Sequence, residues 1–272
     1  MERREIIFRH RLPVRIWHWT NLAVLIVMLG SGLQILNAHP SLYWNSRSTN
    51  ADTAFITFQA REVDGSSKGY TRIGSISADT TGMLGVSQFE GEAAARAFPA
   101  WSTIPAYQDL ASGRLWHFFF AWIFVLNCLA FVTWSAIGHH IERDLLPGRD
   151  QLRPGHIWHE VREHARLRFA KGNEAKRYNV LQKLTYLVVL FGLLPMMVAT
   201  GLTMSPGIDT AWPWLLDLFG GRQAARTFHF LSAFGLVLFV VLHVALVIIS
   251  GLRNNVRSMI TGWFTIVHGD TE

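Results

Sequence analysis

Four stretches of the chain are apolar over some twenty residues or more, at roughly 14–36, 115–138, 180–203 and 227–252. A helix rises about 1.5 Å per residue, so each stretch is long enough to cross the ~30 Å hydrocarbon layer of a bilayer. The pattern predicts an all-α membrane protein, a four-transmembrane-helix bundle read as a single domain over 1–272. Pro195 falls near the middle of the third stretch, where its missing N–H predicts a bend. That stretch has no histidine, and its expected job is packing.

Between the first two stretches the pattern changes. Residues 37–113 are rich in Ser, Thr, Gly and Asp, with short alternating pieces such as 70–77 and an aromatic, proline-bearing run at 98–107. This is a long loop, and a loop of that length is seldom idle. Its scattered Trp44, Tyr70, Phe89, Trp101 and Tyr107 favour a lid or docking surface over a disordered insertion. In the connection 139–179, Ile157, Val161, Arg168 and Phe169 punctuate a basic amphipathic pattern, read as a helix lying on the membrane surface.

Composition agrees with a membrane protein: half of the 272 residues are apolar and 11 are Trp. Arg3, Arg4, Arg9, Arg11 and Arg15 precede the first stretch, but it is too long for a signal peptide and lacks a small-residue cleavage site, so it is expected to stay as a span. The connection 139–179 carries Arg143, Arg149, Arg153, Arg162, Arg166, Arg168, Lys171, Lys176 and Arg177, and the C-terminal tail Arg253 and Arg257. The loop 37–113 has five cations and seven carboxylates. Cytoplasmic flanks carry the Lys/Arg excess, which predicts both termini and 139–179 in the cytoplasm and 37–113 in the periplasm, in a bacterial inner membrane. The net charge of +6 then has a topological origin, and nucleic acid is not an expected partner.

Chemistry enters with the histidines. His229 and His243 share the fourth apolar stretch, where an ionisable side chain is costly enough to imply function. Fourteen residues apart, they project from nearly one helix face about 21 Å apart in depth. With alternating span directions, His18 lies at the inner level with His243, and His117 at the outer level with His229. Taken singly, His117 beside Trp116 and His18 between Trp17 and Trp19 also suit an aromatic belt, and His243 also suits a proton relay. Together the four suggest two stacked bis-histidine haem sites, with no open iron position and hence electron transfer rather than oxygen chemistry. Each ligand ring then needs an acceptor, such as a helix carbonyl, for its other N–H.

Gly235, between the two ligands of span four, and Gly30, Gly32, Ala121 and Ser232 are small enough to admit a porphyrin. Arg11 and Arg15 inside, and Arg114 and Arg226 outside, lie near the ligand levels as partners for haem propionates; membrane-edge anchoring explains them equally well. The one cysteine, Cys128, leaves no Cys-x-x-Cys-His attachment, so haem must be held by coordination and packing. His139, His140, His156 and His159 are read as solvated.

The run from Arg9 to Trp19 (RHRLPVRIWHW), the His-x13-His pair of span four and the run from Tyr178 to Tyr186 (YNVLQKLTY) resemble the di-haem cytochrome b subunits of nickel-iron hydrogenases and formate dehydrogenases. Within that superfamily the chain looks closest to the branch labelled thiosulfate reductase cytochrome b subunit. The resemblance implies two b-type haems, an inner one on His18 and His243 and an outer one on His117 and His229, with quinone reacting near the inner haem. Here the loop 37–113 is much longer than in those relatives, so the redox partner and its docking mode are left open.

The expected function is electron transfer between a periplasmic redox partner, for which a molybdopterin oxidoreductase is one candidate, and the membrane quinone pool. His10, Arg11, Asn179, Gln182 and Lys183 are the polar groups expected near quinone. Two alternatives stand beside it: a self-contained oxidoreductase passing electrons from superoxide to quinone, and a haem-free transporter or scaffold with a histidine proton relay.

Overall fold

The computed structural model describes residues 3–45, 53–166 and 179–268. In chain order these form β1 (Arg3–Phe8), α1 (Leu12–Asn37), β2 (Ser41–Leu42), β3 (Ile56–Val63), β4 (Ser66–Ile73), β5 (Ile76–Asp79), β6 (Val86–Phe89) and β7 (Glu92–Ala95). There follow α2 (Leu110–Ile137), α3 (Pro154–Ala165), α4 (Val180–Val188), α5 (Leu194–Thr203), α6 (Pro206–Ala211), α7 (Trp214–Phe219), α8 (Arg222–Ile249), α9 (Leu252–Thr261) and β8 (Trp263–His268). Among the described residues, four helices are long and apolar enough to cross a membrane: Leu12–Asn37, Leu110–Ile137, Val180–Thr203 and Arg222–Ile249.

The helix ends differ from the apolar runs for reasons of capping. The second span begins at Leu110, five residues before the first run of apolar positions, because Asp109 caps it. One Asp109 carboxylate oxygen accepts from the Ala111 amide at 2.9 Å, and the other accepts from the Ser112 hydroxyl at 2.6 Å. The Ser112 hydroxyl and amide hold that carboxyl below the usual carboxylate range. The fourth span begins at Arg222 rather than 227, its first turn being polar. In the third span a π-helical turn, Val189–Leu193, directly precedes Pro195. Proline cannot donate to the carbonyl four residues back and its ring crowds that carbonyl, and a widened turn relieves both. The surface helix spans Pro154–Ala165; Arg168, Phe169 and Tyr178 lie outside the described residues.

The residues group into two compact units. One comprises Asn21–Leu126 and Met196–Ala233. Its long insertion is not the loop that an all-α reading predicts: it folds into an antiparallel sheet ordered β2-β3-β4-β5 and a separate hairpin, β6-β7. The piece 70–77 is not one strand but straddles a hairpin, with Ile73 opposite Ile76 and Gly74 at φ 59° in the two-residue turn. Gly69 allows β4 to run under residues 84–86, since a Cβ there would strike the Leu84 carbonyl and lie 2.7 Å from the Val86 amide nitrogen. The core of this unit joins sheet to helix: Leu36, Leu42, Ile56, Phe58, Ala97 and Phe98 pack together, with Phe230 against them. Arg96, only 3% exposed, ties down the run that follows it, donating to the Phe98 carbonyl (2.7 Å), the Thr103 hydroxyl (3.0 Å) and the Ala106 carbonyl (3.0 Å). Burial lowers its pKa, but a guanidinium stays charged.

The other unit comprises Met1–Thr20, Asn127–Pro195 and Phe234–Glu272. Its two tails are not free ends. β1 and β8 pair antiparallel from Arg3 opposite His268 to Phe8 opposite Trp263. Asn254 of α9 completes the corner like an extra strand residue, donating to the Thr265 carbonyl at 2.8 Å and accepting its amide at 3.0 Å. His140 is not solvated like its neighbour: its side chain is 11% exposed, between Phe131 and Trp134, and bonds Asp144 at 2.6 Å. His139, His156 and His159 are exposed or nearly so.

Candidate functional site

In the unit that contains the insertion, α2 brings His117 and α8 brings His229 to face each other with ring centres 6.2 Å apart. Each ring is fixed by a buried hydroxyl. His117 Nδ1 lies 3.1 Å from both the Ser31 hydroxyl and the Met28 carbonyl of α1. His229 Nδ1 lies 2.9 Å from the Thr200 hydroxyl of α5. Ser31 and Thr200 are fully buried and already donate to carbonyls one turn back, Ser31 to Val27 at 2.7 Å and Thr200 to Met196 at 2.6 Å. A hydroxyl whose hydrogen is spent in this way accepts from the imidazole, so Nδ1 carries the proton and Nε2 keeps its lone pair.

Glycine stands next to each hydroxyl. A Cβ on Gly32 would lie 3.3 Å from His117 Cε1, and one on Gly201 would lie 3.6 Å from His229 Cε1. Ser31-Gly32 and Thr200-Gly201 are therefore the same device on two helices: an acceptor for Nδ1 beside a residue small enough for the ring to approach. The third span does more than pack, a role that its lack of histidine concealed.

In the other unit, His18 of α1 and His243 of α8 have ring centres 6.3 Å apart. His243 stacks over Phe239 one turn earlier at 5.6 Å, and His18 meets Trp19 edge-on at 5.1 Å. His18 Nδ1 is buried and has no hydrogen-bond partner among the described residues. Trp17 stacks on Phe131 at 4.3 Å, and Asn127 donates to the Trp17 carbonyl at 3.4 Å, which anchors the His18 segment to α2.

These spacings test the fit of a haem iron directly. Two imidazoles ligating one metal at about 2 Å each, with about 1.1 Å from nitrogen to ring centre, put their centres roughly 6.2 Å apart. Both pairs meet that requirement, and in the insertion-bearing unit the tautomer leaves Nε2 free to ligate.

The remaining expected site residues are placed less specifically. Arg15 donates to the Ile260 carbonyl, Arg11 and Arg114 are exposed, and Arg114 lies 5.7 Å over the Phe118 ring. A Cβ on Gly235 would make ordinary contact with Leu193 at 3.5 Å, so in this structure the glycine is not required by close packing. Arg226 donates to the Ser41 carbonyl. Among the groups expected near quinone, Asn179 and Gln182 form the capping box of α4, and Lys183 is buried, donating to the Leu146 carbonyl at 3.1 Å. These three have structural work of their own. Burial, reinforced by Arg9, His18, Arg15 and His140, lowers the His10 pKa to about 4, so this imidazole is neutral at physiological pH.

The profile of the prokaryotic cytochrome b561 family matches residues 9–262. Among curated relatives, the probable Ni/Fe-hydrogenase B-type cytochrome subunit of Cupriavidus necator is 23% identical over 269 residues, covering 94% of this chain and 86% of the relative. The corresponding subunit of Azotobacter vinelandii is 27% identical over 161 residues, 55% of this chain and 67% of the relative. The putative protein-methionine-sulfoxide reductase subunit YedZ1 of Azospira oryzae is 27% identical over 244 residues, 90% of this chain and 92% of the relative. No solved structure matches the chain. A match that spans nearly the whole chain, including all four apolar helices and both histidine pairs, makes this protein a member of the prokaryotic cytochrome b561 family, membrane-integral b-type cytochromes of electron transfer.

Proposed function

We propose that the chain is a di-haem cytochrome b of the bacterial inner membrane that carries electrons between a periplasmic redox subunit and the quinone pool. The observation that carries this reading is the pair of ring spacings, 6.3 and 6.2 Å, in two separate histidine pairs. His18 and His243 hold the inner haem, and His117 and His229 the outer one. Held by these imidazoles, b-type haem would supply a one-electron couple at each pair, which suits electron relay. Ser31 and Thr200 accept the Nδ1 protons, orient the outer rings and raise their basicity as ligands.

The relatives support a partner. Two are named as hydrogenase cytochrome subunits and one as a reductase subunit, and we assign this chain the same kind of place in a complex. The folded insertion supports a protein partner over a small diffusible reductant such as superoxide. Its Ile104 amide donates to the Gly30 carbonyl at 3.0 Å, next to the Ser31 that holds His117, so a subunit docked on the insertion is tied to the outer pair. Quinone reacts at the inner pair, with both termini in the cytoplasm.

The quinone assignment has a direct test. Adding a short-chain quinol to the oxidised, purified protein is expected to bring up the reduced b-type visible bands in the wild type. His18→Ala is expected to abolish that reduction while dithionite still reduces the remaining haem. Bands that rise equally fast in the variant would overturn the assignment.

A further inference from the structure

α9 begins three residues after α8 ends, with Gly251 at φ 113° making the turn. It therefore sits where a membrane span meets the headgroups. One side of α9 is held by the protein. Ser258 is buried, Asn254 is clamped to β8, and two carbonyls in its last turn are capped from α1: Trp19 Nε1 donates to Met259 at 3.0 Å and Arg15 to Ile260. Helix ends leave carbonyls without partners, and these two residues flank His18 in sequence.

The other side is unpartnered. Leu252, Val256 and Ile260 recur every fourth residue and, with Arg253, Arg257 and Thr261, line an open groove of about 440 Å³. Leu252 is 47% and Ile260 56% exposed. Arg253 is exposed and makes no hydrogen bond or ion pair with the described residues, whereas Arg257 uses part of its guanidinium on Asn254 and Thr265. On the adjoining ribbon Arg4 is exposed, and Glu5 is the one carboxylate among the described residues of β1, α9 and β8.

An aliphatic strip edged by two cations one turn apart, at headgroup depth, matches a ligand that is apolar along its length and anionic at one end. We propose that the α9 groove binds an anionic phospholipid, with its phosphate on Arg253 and Arg257 and an acyl chain along Leu252, Val256 and Ile260. A soluble acidic peptide or a nucleic acid would leave the aliphatic strip uncovered. The proposal does not depend on the haem reading. Its consequence is that a bilayer lipid braces the helix whose last turn Arg15 and Trp19 cap, on either side of His18.

The test uses the full chain, purified in neutral detergent, stripped of lipid and offered equal amounts of phosphatidylglycerol and phosphatidylcholine. Retained lipid is counted by native mass spectrometry. The wild type is expected to prefer phosphatidylglycerol by about fivefold or more, since each arginine near an anionic headgroup favours it severalfold. Arg253→Gln with Arg257→Gln should bring the preference to near parity, and Arg253→Lys with Arg257→Lys should restore most of it. Because Arg257 also braces β8, the single Arg253→Gln variant is measured beside them and should lose at least half of the preference with its fold intact. Millimolar glycerol phosphate, a headgroup without acyl chains, should not displace the lipid. A wild type without preference, a preference unchanged in the Gln variants, or full displacement by glycerol phosphate would each overturn the proposal.

Discussion

Replacing His243 by Ala is expected to leave one haem per chain instead of the proposed two and to stop reduction of the protein by quinol. The reason is local. In the structure His243 has one imidazole opposite it, His18 at 6.3 Å between ring centres. With Cys128 as the only cysteine, no thioether holds the haem once an axial ligand is gone. The other pair, His117 and His229, belongs to the other compact unit and keeps its Ser31 and Thr200 contacts. Haem content by the pyridine haemochrome method, read beside the quinol assay, checks this. Two haems retained with normal quinol reduction would show that His243 is no ligand, and loss of both would show that the sites are not separate.

Thr200→Val is expected to raise the midpoint potential of one of the two proposed haems by tens of millivolts and to leave the other nearly unchanged. Valine keeps the shape of threonine but removes the oxygen that accepts from His229 Nδ1 at 2.9 Å. The ring N–H is then left with the Met197 backbone carbonyl as its remaining acceptor, and losing the Thr200 bond costs about 1 kcal/mol. That hydrogen bond is stronger when the iron is ferric, because the more positive metal makes the N–H more acidic, so losing it favours the ferrous state. Only the difference between the two oxidation states reaches the potential. If that difference is about 1 kcal/mol, the shift is roughly 40 mV for one electron, since a tenfold change in equilibrium corresponds to about 59 mV. Thr200→Ser, which keeps the hydroxyl, should stay near the wild type. A redox titration that shows equal shifts in both components, or the same shift in the Ser variant, would contradict the role given to Thr200.

Much of the architecture is legible in the sequence because membrane physics makes it so. Four long apolar runs have few alternatives, and a histidine such as His243 among Leu242, Val244 and Ala245 stands out against such a background. What stayed hidden depends on contacts between distant residues. Ser31 and Thr200 look like ordinary small residues in apolar helices, and only the fold brings them to His117 and His229; the signal available was the repeated hydroxyl-glycine pair, Ser31-Gly32 and Thr200-Gly201. The terminal ribbon was hidden because β1 and β8 lie at opposite ends of the chain. The strands of the insertion are short, and their alternation is interrupted by glycine turns such as Gly74, so the pattern there resembles a loop. Helix starts are not legible where polar residues form the first turn, as between Asp109 and Leu115, since apolar periodicity does not register a cap.

Each histidine pair is proposed to hold one haem iron between two imidazoles. Quantifying haem per chain and recording the low-temperature electron paramagnetic resonance spectrum of the same oxidised, purified protein tests it most directly. Two haems per chain are expected, both low-spin ferric, with two distinct signals of which His117→Ala removes one and His18→Ala the other. A single haem per chain, or a dominant high-spin ferric signal with an open axial position, would contradict it.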